Sequence, residues 1–384
     1  MIEIKEKNKC CGCHACYNVC PVNAIEMIED EKGFKYPKVD KDKCIKCGMC
    51  EKVCPIINNK RIENEPLAYA CYNNDGSIRE ESTSGGIFTL LAEKIIEKNG
   101  AVFGAMFDEE FNVKHGYVEN INELSKFRGS KYVQSSIGDM YKKAKDFLDE
   151  DRYVLFTGTP CQIEGLKSYL RKEYDKLYTQ DIICHGVPSP LVWKKYREYR
   201  KEKDEGNLEN ISFRNKDNGW KNYFIKFKYE TKEYKKTQSE DYFLRLFLSN
   251  VILRDSCYNC SFKKLNRASD ITLADFWGIQ NVDSSMDDDK GTSLVIVNSA
   301  KGKELFEKIS NKITKKEQKL EEAIKYNPSM ISSVKMANTR EDFFKNVENF
   351  DFDKDINKYI PKVSLFRKIL SKLKMVVKKI INKT

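Results

Sequence analysis

Long apolar runs are missing from these 384 residues. No uninterrupted stretch approaches the roughly 20 apolar residues that a membrane-spanning helix needs, so none is expected. Met1–Glu6 holds no apolar h-region, and no secretory signal peptide is expected either. Histidine is scarce: of His14, His115 and His185, only His185 adjoins the motifs that lie beyond the N-terminal cysteine runs. Acidic residues are absent from 362–384, where Lys362, Arg367, Lys368, Lys372, Lys374, Lys378, Lys379 and Lys383 supply eight cations. The formal charge of +10 therefore leaves only +2 on residues 1–361, too little for the basic surface that nucleic acid would require. Hydrophobic content of 40% supports a proper core, and the length suggests two or three domains.

Cysteine, by contrast, is abundant, with 14 in the chain. Cys10, Cys13, Cys16 and Cys20 follow a C-x2-C-x2-C-x3-C spacing closed by Pro21, and Cys44, Cys47, Cys50 and Cys54 repeat it before Pro55. Three thiolates from one tight loop converge on a cube, while the fourth lies a helix away. In two-cluster ferredoxins the fourth cysteine of each run serves the other 4Fe-4S cluster. The expected sets are thus Cys10, Cys13, Cys16 and Cys54, and Cys44, Cys47, Cys50 and Cys20. Structural zinc sites use paired C-x2-C units instead, and disulfides need an oxidising compartment that nothing here suggests. Cys11 lies off the ligand spacing and reads as a bystander.

A polar linker at 58–66 precedes a strand at 67–72. Ser82–Gly86 then leads into a helical pattern at 87–98. Two readings stand for this turn: an anion cradle at the helix N-terminus, or an ordinary N-cap by Ser84. Strands at 101–107 and 113–119 follow. The loop 127–135 carries Arg128, Ser130, Lys131 and Tyr132 beside Gly129, suited to a pyrophosphate with Tyr132 against a ring, or simply to solvent. A helix at 137–149 leads to a buried strand at 152–156 that runs into Gly158-Thr159-Pro160-Cys161. A second strand at 177–184 ends in Cys184-His185-Gly186. Both place a cysteine at the carboxyl edge of a parallel sheet, where open α/β folds bind ligands. Antiparallel strands are expected within 208–237, a helix at 241–250, and strands at 270–278 and 292–298. The remainder to about Tyr359 reads as mostly helical, with nothing in it that suggests chemistry.

Cys161, Cys184, Cys257 and Cys260 remain, the number a third 4Fe-4S cluster requires; a zinc site or unrelated buried thiols are the alternatives. Residues 363–381 space apolar side chains helically among the eight cations. That pattern suits an amphipathic helix on an anionic membrane surface, or one docked on the body or a partner subunit.

Six motifs in order carry a family resemblance: Thr83-Ser84-Gly85-Gly86, Gly129–Gln134, Gly158–Cys161, Cys184–Pro188, Cys257-x2-Cys260 and Asp275–Gly278. With them the chain resembles the coenzyme F-420 (8-hydroxy-5-deazaflavin) hydrogenase/dehydrogenase beta-subunit family, over roughly residues 1–330. Ala274 departs from it, since the family more often has Gly there. The resemblance implies an FAD-containing iron–sulfur oxidoreductase of α+β class: a small two-cluster ferredoxin-like domain (1–60) and a larger α/β flavin-binding domain in two parts (61–150 and 151–360), to which the spacing of the tail adds a C-terminal amphipathic helix (361–384). It implies flavin contacts at Ser84, Gly85, Gly86, Gly129, Ser130, Lys131, Tyr132, Gly158, Thr159 and Pro160, and further cluster ligands at Cys161, Cys184, Cys257 and Cys260. His185 is the candidate to protonate flavin or substrate, a structural histidine being the alternative. The leading expectation is an enzyme of the cytoplasm or the inner membrane face. It would take electrons from an external ferredoxin or other redox partner and reduce an organic small molecule or a deazaflavin. An electron relay without its own substrate is the runner-up, and a membrane-recruited interaction protein the third.

Overall fold

A computed structural model describes residues 1–59 and 61–360. The expected tail helix at 361–384 lies outside the described residues. Among the described residues, no helix is long and apolar enough to cross a membrane.

The N-terminal unit is small and loop-rich, organised around two one-turn helices, Ala15–Val19 and Met49–Lys52, that carry the second halves of the cysteine runs. An antiparallel pair, β1 (Ile25–Glu29) and β2 (Lys35–Val39), closes it, with Ile25 opposite Val39. The two runs also repeat their backbone conformations. Gly12 and His14 flank Cys13 with φ of 69° and 62°, and Lys46 and Gly48 flank Cys47 with 54° and 70°. Left-handed residues on both sides of the middle cysteine bend each run into a tight loop.

The larger unit is built on an eight-stranded mixed sheet. Its strands are β3 (Leu67–Asn73), β4 (Ala101–Phe107), β5 (Val113–Val118), β6 (Val154–Thr157), β7 (Leu177–Ile182), β11 (Ile271–Asp275), β12 (Ser293–Val297) and β13 (Ile313–Gln318). Across the sheet the order is β13-β3-β12-β11-β7-β6-β4-β5. The central four, β11, β7, β6 and β4, run parallel, and antiparallel strands extend both edges. Every residue of β6 and of β12 is buried, the apolar pattern of strands covered on both faces. A separate three-stranded sheet, β8 (Leu208–Asn215), β9 (Phe224–Tyr229) and β10 (Glu233–Thr237), is antiparallel as expected. It packs on helix Pro190–Lys203, where Trp193 meets Phe213 at 5.0 Å.

The reading of the stretch after 298 needs two corrections. Most of it is helical as expected, but it also holds a strand, β13, that pairs with β3 along the sheet edge. Its sequence, Ile-Thr-Lys-Lys-Glu-Gln, hides the strand because an edge strand leaves part of its side chains in water. Nor is this stretch without relevance to a site, since Tyr326–Ser329 closes one wall of the main cavity. The N-terminal unit packs directly on the larger one. Cys13, Ala15 and Cys16 share a buried core with Ile137, Tyr141, Ile163 and Leu166.

Candidate functional site

Twelve of the cysteines gather in three cavities. Cys10, Cys13, Cys16 and Cys54 line the first. Cys20, Cys44, Cys47 and Cys50 line the second, with Cys47 exposed. The fourth cysteine of each run thus faces the thiols of the other run. Cys161, Cys184, Cys257 and Cys260 line the third, so the two sheet strands and the Cys257–Cys260 turn do bring their thiols together. No cysteine is in a disulfide. Among the described residues, no three His, Cys, Asp or Glu side chains close on the position of a single metal ion.

Backbone N–H groups point at several of these sulfurs. Ile2 donates to Cys50 at 3.2 Å, Ala24 to Cys20 at 3.2 Å, and Val187 to Cys257 at 3.4 Å. Burial pushes the Cys257 thiol up to about 12 and raises Cys184, which is further raised by its neighbour Cys257. Only a positively charged centre turns such a buried set into thiolates, and iron does so on binding. The donor chemistry therefore fits iron–sulfur clusters.

The sequence does not suggest that the cavities adjoin. Cys11 and Ile56 line both the first and the third. Cys11 stays off the ligand spacing, but it is buried between two thiol sets instead of facing solvent. On its far side the third cavity shares Cys184, Gly186 and Val187 with a much larger cavity, of about 550 Å³, at the carboxyl ends of β6, β7 and β11. That volume lies in the usual range for a small molecule or cofactor.

Ser84, Gly86, Gly129, Ser130, Lys131, Tyr132, Gly158, Thr159 and His185 all line this large cavity. Gly85 does not: it packs on the sheet, where an added Cβ would sit 2.5 Å from the Cys71 carbonyl oxygen. Pro160 faces the third thiol cavity, as the first residue of helix Pro160–Leu170. The N-cap reading of Ser84 fails, because its hydroxyl donates to the Thr292 carbonyl at 2.9 Å. Gly86 (φ 78°) is the cap of helix Ile87–Ile96, and no side chain caps its first turn. Two loops that looked separate are joined, since Ser130 N–H donates to Thr83 Oγ1 at 2.8 Å. Gly129 (φ 80°) has open space where a Cβ would lie, leaving its backbone free for a ligand.

Lys131 Nζ donates to the carbonyls of Arg128 and Gly129, at 3.0 and 3.3 Å. Desolvation lowers its pKa to about 7. Tyr132 packs 5.0 Å from the Phe247 ring, and its hydroxyl accepts from Arg214 at 3.3 Å. His185 Nε2 lies 2.7 Å from Asn250 Oδ1, an acceptor, so this nitrogen carries the proton. Burial lowers the His185 pKa.

Other cavity residues had no local signal. His115 lines the wall, with Nε2 3.0 Å from the Thr157 carbonyl and Nδ1 without a partner. Burial lowers it to about 4, so it is a neutral acceptor at Nδ1. Arg214, on β8, pairs with Asp275 at 2.9 Å. Asp275 also accepts from the Trp220 indole at 3.0 Å, and Trp220 stacks on Trp277 at 4.9 Å. The Asp275–Gly278 motif was visible in the sequence, but its partners 55 and 61 residues away were not. His115 Nδ1, Gln180 Oε1, Arg128 Nε and Arg214 Nε, all on cavity-lining residues, are buried without partners. The four atoms are themselves shut off from the cavity, but their residues put both donors and acceptors around it, which suits a polar ligand.

Residues 151–323 match the family described as the C terminus of the coenzyme F420 hydrogenase/dehydrogenase beta subunit. Residues 9–56 match the 4Fe-4S dicluster domain. No curated protein matches the chain. Among solved structures, a chain from a xenon derivative of the F420-reducing NiFe hydrogenase complex of Methanosarcina barkeri is similar. It shares 16% identity, with 66% of this chain and 83% of that chain covered and a TM-score of 0.47.

Proposed function

We propose, for a chain that belongs to the coenzyme F420 hydrogenase/dehydrogenase beta-subunit family and carries a 4Fe-4S dicluster domain ahead of it, a flavin-dependent reduction of an organic molecule or a deazaflavin. At the coarser level the chain is an iron–sulfur, oxidoreductase-type electron-transfer subunit of that family. One observation carries the finer reading: the first thiol cavity adjoins the third through Cys11 and Ile56, and the third adjoins the large cavity through Cys184, Gly186 and Val187.

Clusters supply electrons singly, and a flavin collects two of them and passes them on with one proton as a hydride. The electron source is a reduced one-electron carrier of ferredoxin type, two equivalents per hydride. Cys10, Cys13, Cys16 and Cys54, the set of Cys20, Cys44, Cys47 and Cys50, and the set of Cys161, Cys184, Cys257 and Cys260 would each hold one cluster. Gly129, Lys131 and the uncapped turn at Gly86 would hold the phosphates of FAD, because free N–H groups and a cation favour an anion there; Ser130, whose N–H is engaged by Thr83, would contribute its hydroxyl. His185 lines the large cavity beside Cys184; its Nε2–H is held by Asn250 Oδ1 and burial favours the neutral ring, so it would deliver a proton to flavin or substrate from Nδ1 after taking one up there. The eight cations of 362–384 support docking at an anionic membrane surface within the same proposal.

The deciding experiment is anaerobic purification, followed by counts of iron, zinc and acid-labile sulfide and identification of released flavin. About twelve irons with one FAD is the expected result. About eight irons with FAD would remove the third cluster, and zinc alongside would reassign Cys257 and Cys260. Iron without flavin, even after FAD is added, would leave only an electron relay.

A further inference from the structure

Six arginines are buried in the described residues: Arg79, Arg200, Arg214, Arg254, Arg267 and Arg340. Five have a carboxylate partner, respectively Asp288, Asp204, Asp275, Asp181 and Asp255. Arg254 is fully buried and, among the described residues, has none. Its guanidinium donates to the Cys10 carbonyl (2.8 Å), the Lys35 carbonyl (3.1 Å) and Gln134 Oε1 (3.1 Å), and it lies over the Tyr36 ring at 4.2 Å. It also lies 5.5 Å from the Phe34 ring, and its remaining hydrogen bond runs from Nη2 to Cys10 Sγ, at 3.6 Å. A guanidinium taken out of water without a counter-charge is unfavourable, and neutral acceptors do not supply one. The anion that completes this site is the thiolate cluster to which Cys10 belongs.

We propose that Arg254 sets the reduction potential of the cluster held by Cys10, Cys13, Cys16 and Cys54; the inference rests on the cluster assignment above. Reduction adds a negative charge to the cluster. A fixed cation and an N–H···S bond both favour the reduced form, and net charge and hydrogen bonds to sulfur are known determinants of cluster potential. With the side chain fully buried, water screens this field weakly. The thiols of the second set accept backbone N–H groups, from Ile2 and Ala24, and among the described residues no arginine or lysine side chain donates to them. Arg254 therefore raises the potential of the Cys10 set and not that of the second set. Arg254 also ties the N-terminal unit to the larger one, through Cys10 and Lys35 on one side and Gln134 on the other. A tie alone would leave the potential unchanged.

The test is an anaerobic, dye-mediated redox titration of the full chain followed by electron paramagnetic resonance, with iron counted in every sample. In Arg254→Gln one reduction wave is expected to fall by at least tenfold in its equilibrium constant, 59 mV for a one-electron couple, while the others stay in place. Arg254→Lys keeps the charge and should return that wave to within threefold of its original value. Should Arg254→Gln lose iron, Gln134→Glu decides, since it sets a carboxylate against the same guanidinium with almost no change in shape. The same wave should then fall by at least tenfold. A full iron count with every wave unmoved in Arg254→Gln, or in Gln134→Glu, overturns the proposal. Fewer than about eight irons in the unaltered protein would overturn the cluster assignment itself, and is read separately.

Discussion

Gly165→Ala is expected to destabilise the protein although alanine is the better helix former. Gly165 lies inside helix Pro160–Leu170, and an exposed helical Gly→Ala change gains about 1 kcal/mol. The tertiary contacts oppose it. A Cβ at 165 would stand 2.8 Å from Cys13 Cβ, 3.0 Å from Cys13 Sγ and 3.0 Å from Tyr141 Oη. None of these is the loose end of a long side chain. Cys13 is buried in a loop bent by left-handed residues on both sides, and Tyr141 is fully buried with its hydroxyl donating to the Gln162 carbonyl at 2.6 Å. Overpacking of this kind costs about 1–3 kcal/mol. Displacing the tyrosine hydroxyl forfeits about 0.5–1.5 kcal/mol more. The clash outweighs propensity, for a net loss of about 0.5–3.5 kcal/mol. Anaerobic urea denaturation should show a lower midpoint, and iron content should fall because Cys13 is the group displaced. Equal or greater stability with unchanged iron would refute the close docking of the N-terminal unit on this helix.

Three further outcomes follow from named groups. With its pKa lowered to about 7 from the usual 10.5, Lys131 binds fewer protons folded than unfolded across that window, so its contribution favours folding increasingly as pH rises. A phosphate-bearing ligand would restore the charge, so FAD binding should take up a proton and weaken above about pH 7. Calorimetry in two buffers checks this, and a pH-independent affinity, or an unchanged profile in Lys131→Met, would sink it. Asp181→Asn should cost about 3–5 kcal/mol by urea denaturation, because it strands Arg267 in a fully buried pair (3.3 Å); Asp181→Asn with Arg267→Met should recover much of that loss. Cys11→Ser should leave the iron count unchanged, whereas Cys184→Ser should remove about four irons; loss of iron in the former would make Cys11 a ligand.

The two cysteine runs were legible because a short covalent spacing limits which thiols one loop can gather, whatever the rest of the chain does. The strands at 152–156 and 292–298 were legible for a similar reason, since a strand buried on both faces is mostly apolar, and the strand at 101–107 shares that pattern over its buried first half. Edge strand β13 was not, because half in water it keeps no clean alternation. The loops Ser82–Gly86 and Gly129–Tyr132 stood out by composition, yet only the fold ties Ser130 to Thr83 and turns Gly85 away from the cavity. His115, Arg214 and Arg254 carried no local pattern. Their partners lie 42, 61 and 244 residues away, at Thr157, Asp275 and Cys10. What the sequence determined by itself is which groups lie within a turn or a strand of one another, because chain connectivity enforces it. Which thiol sets adjoin, which arginine has no carboxylate and which histidine faces the cavity depend on contacts between distant segments, and only packing decides those.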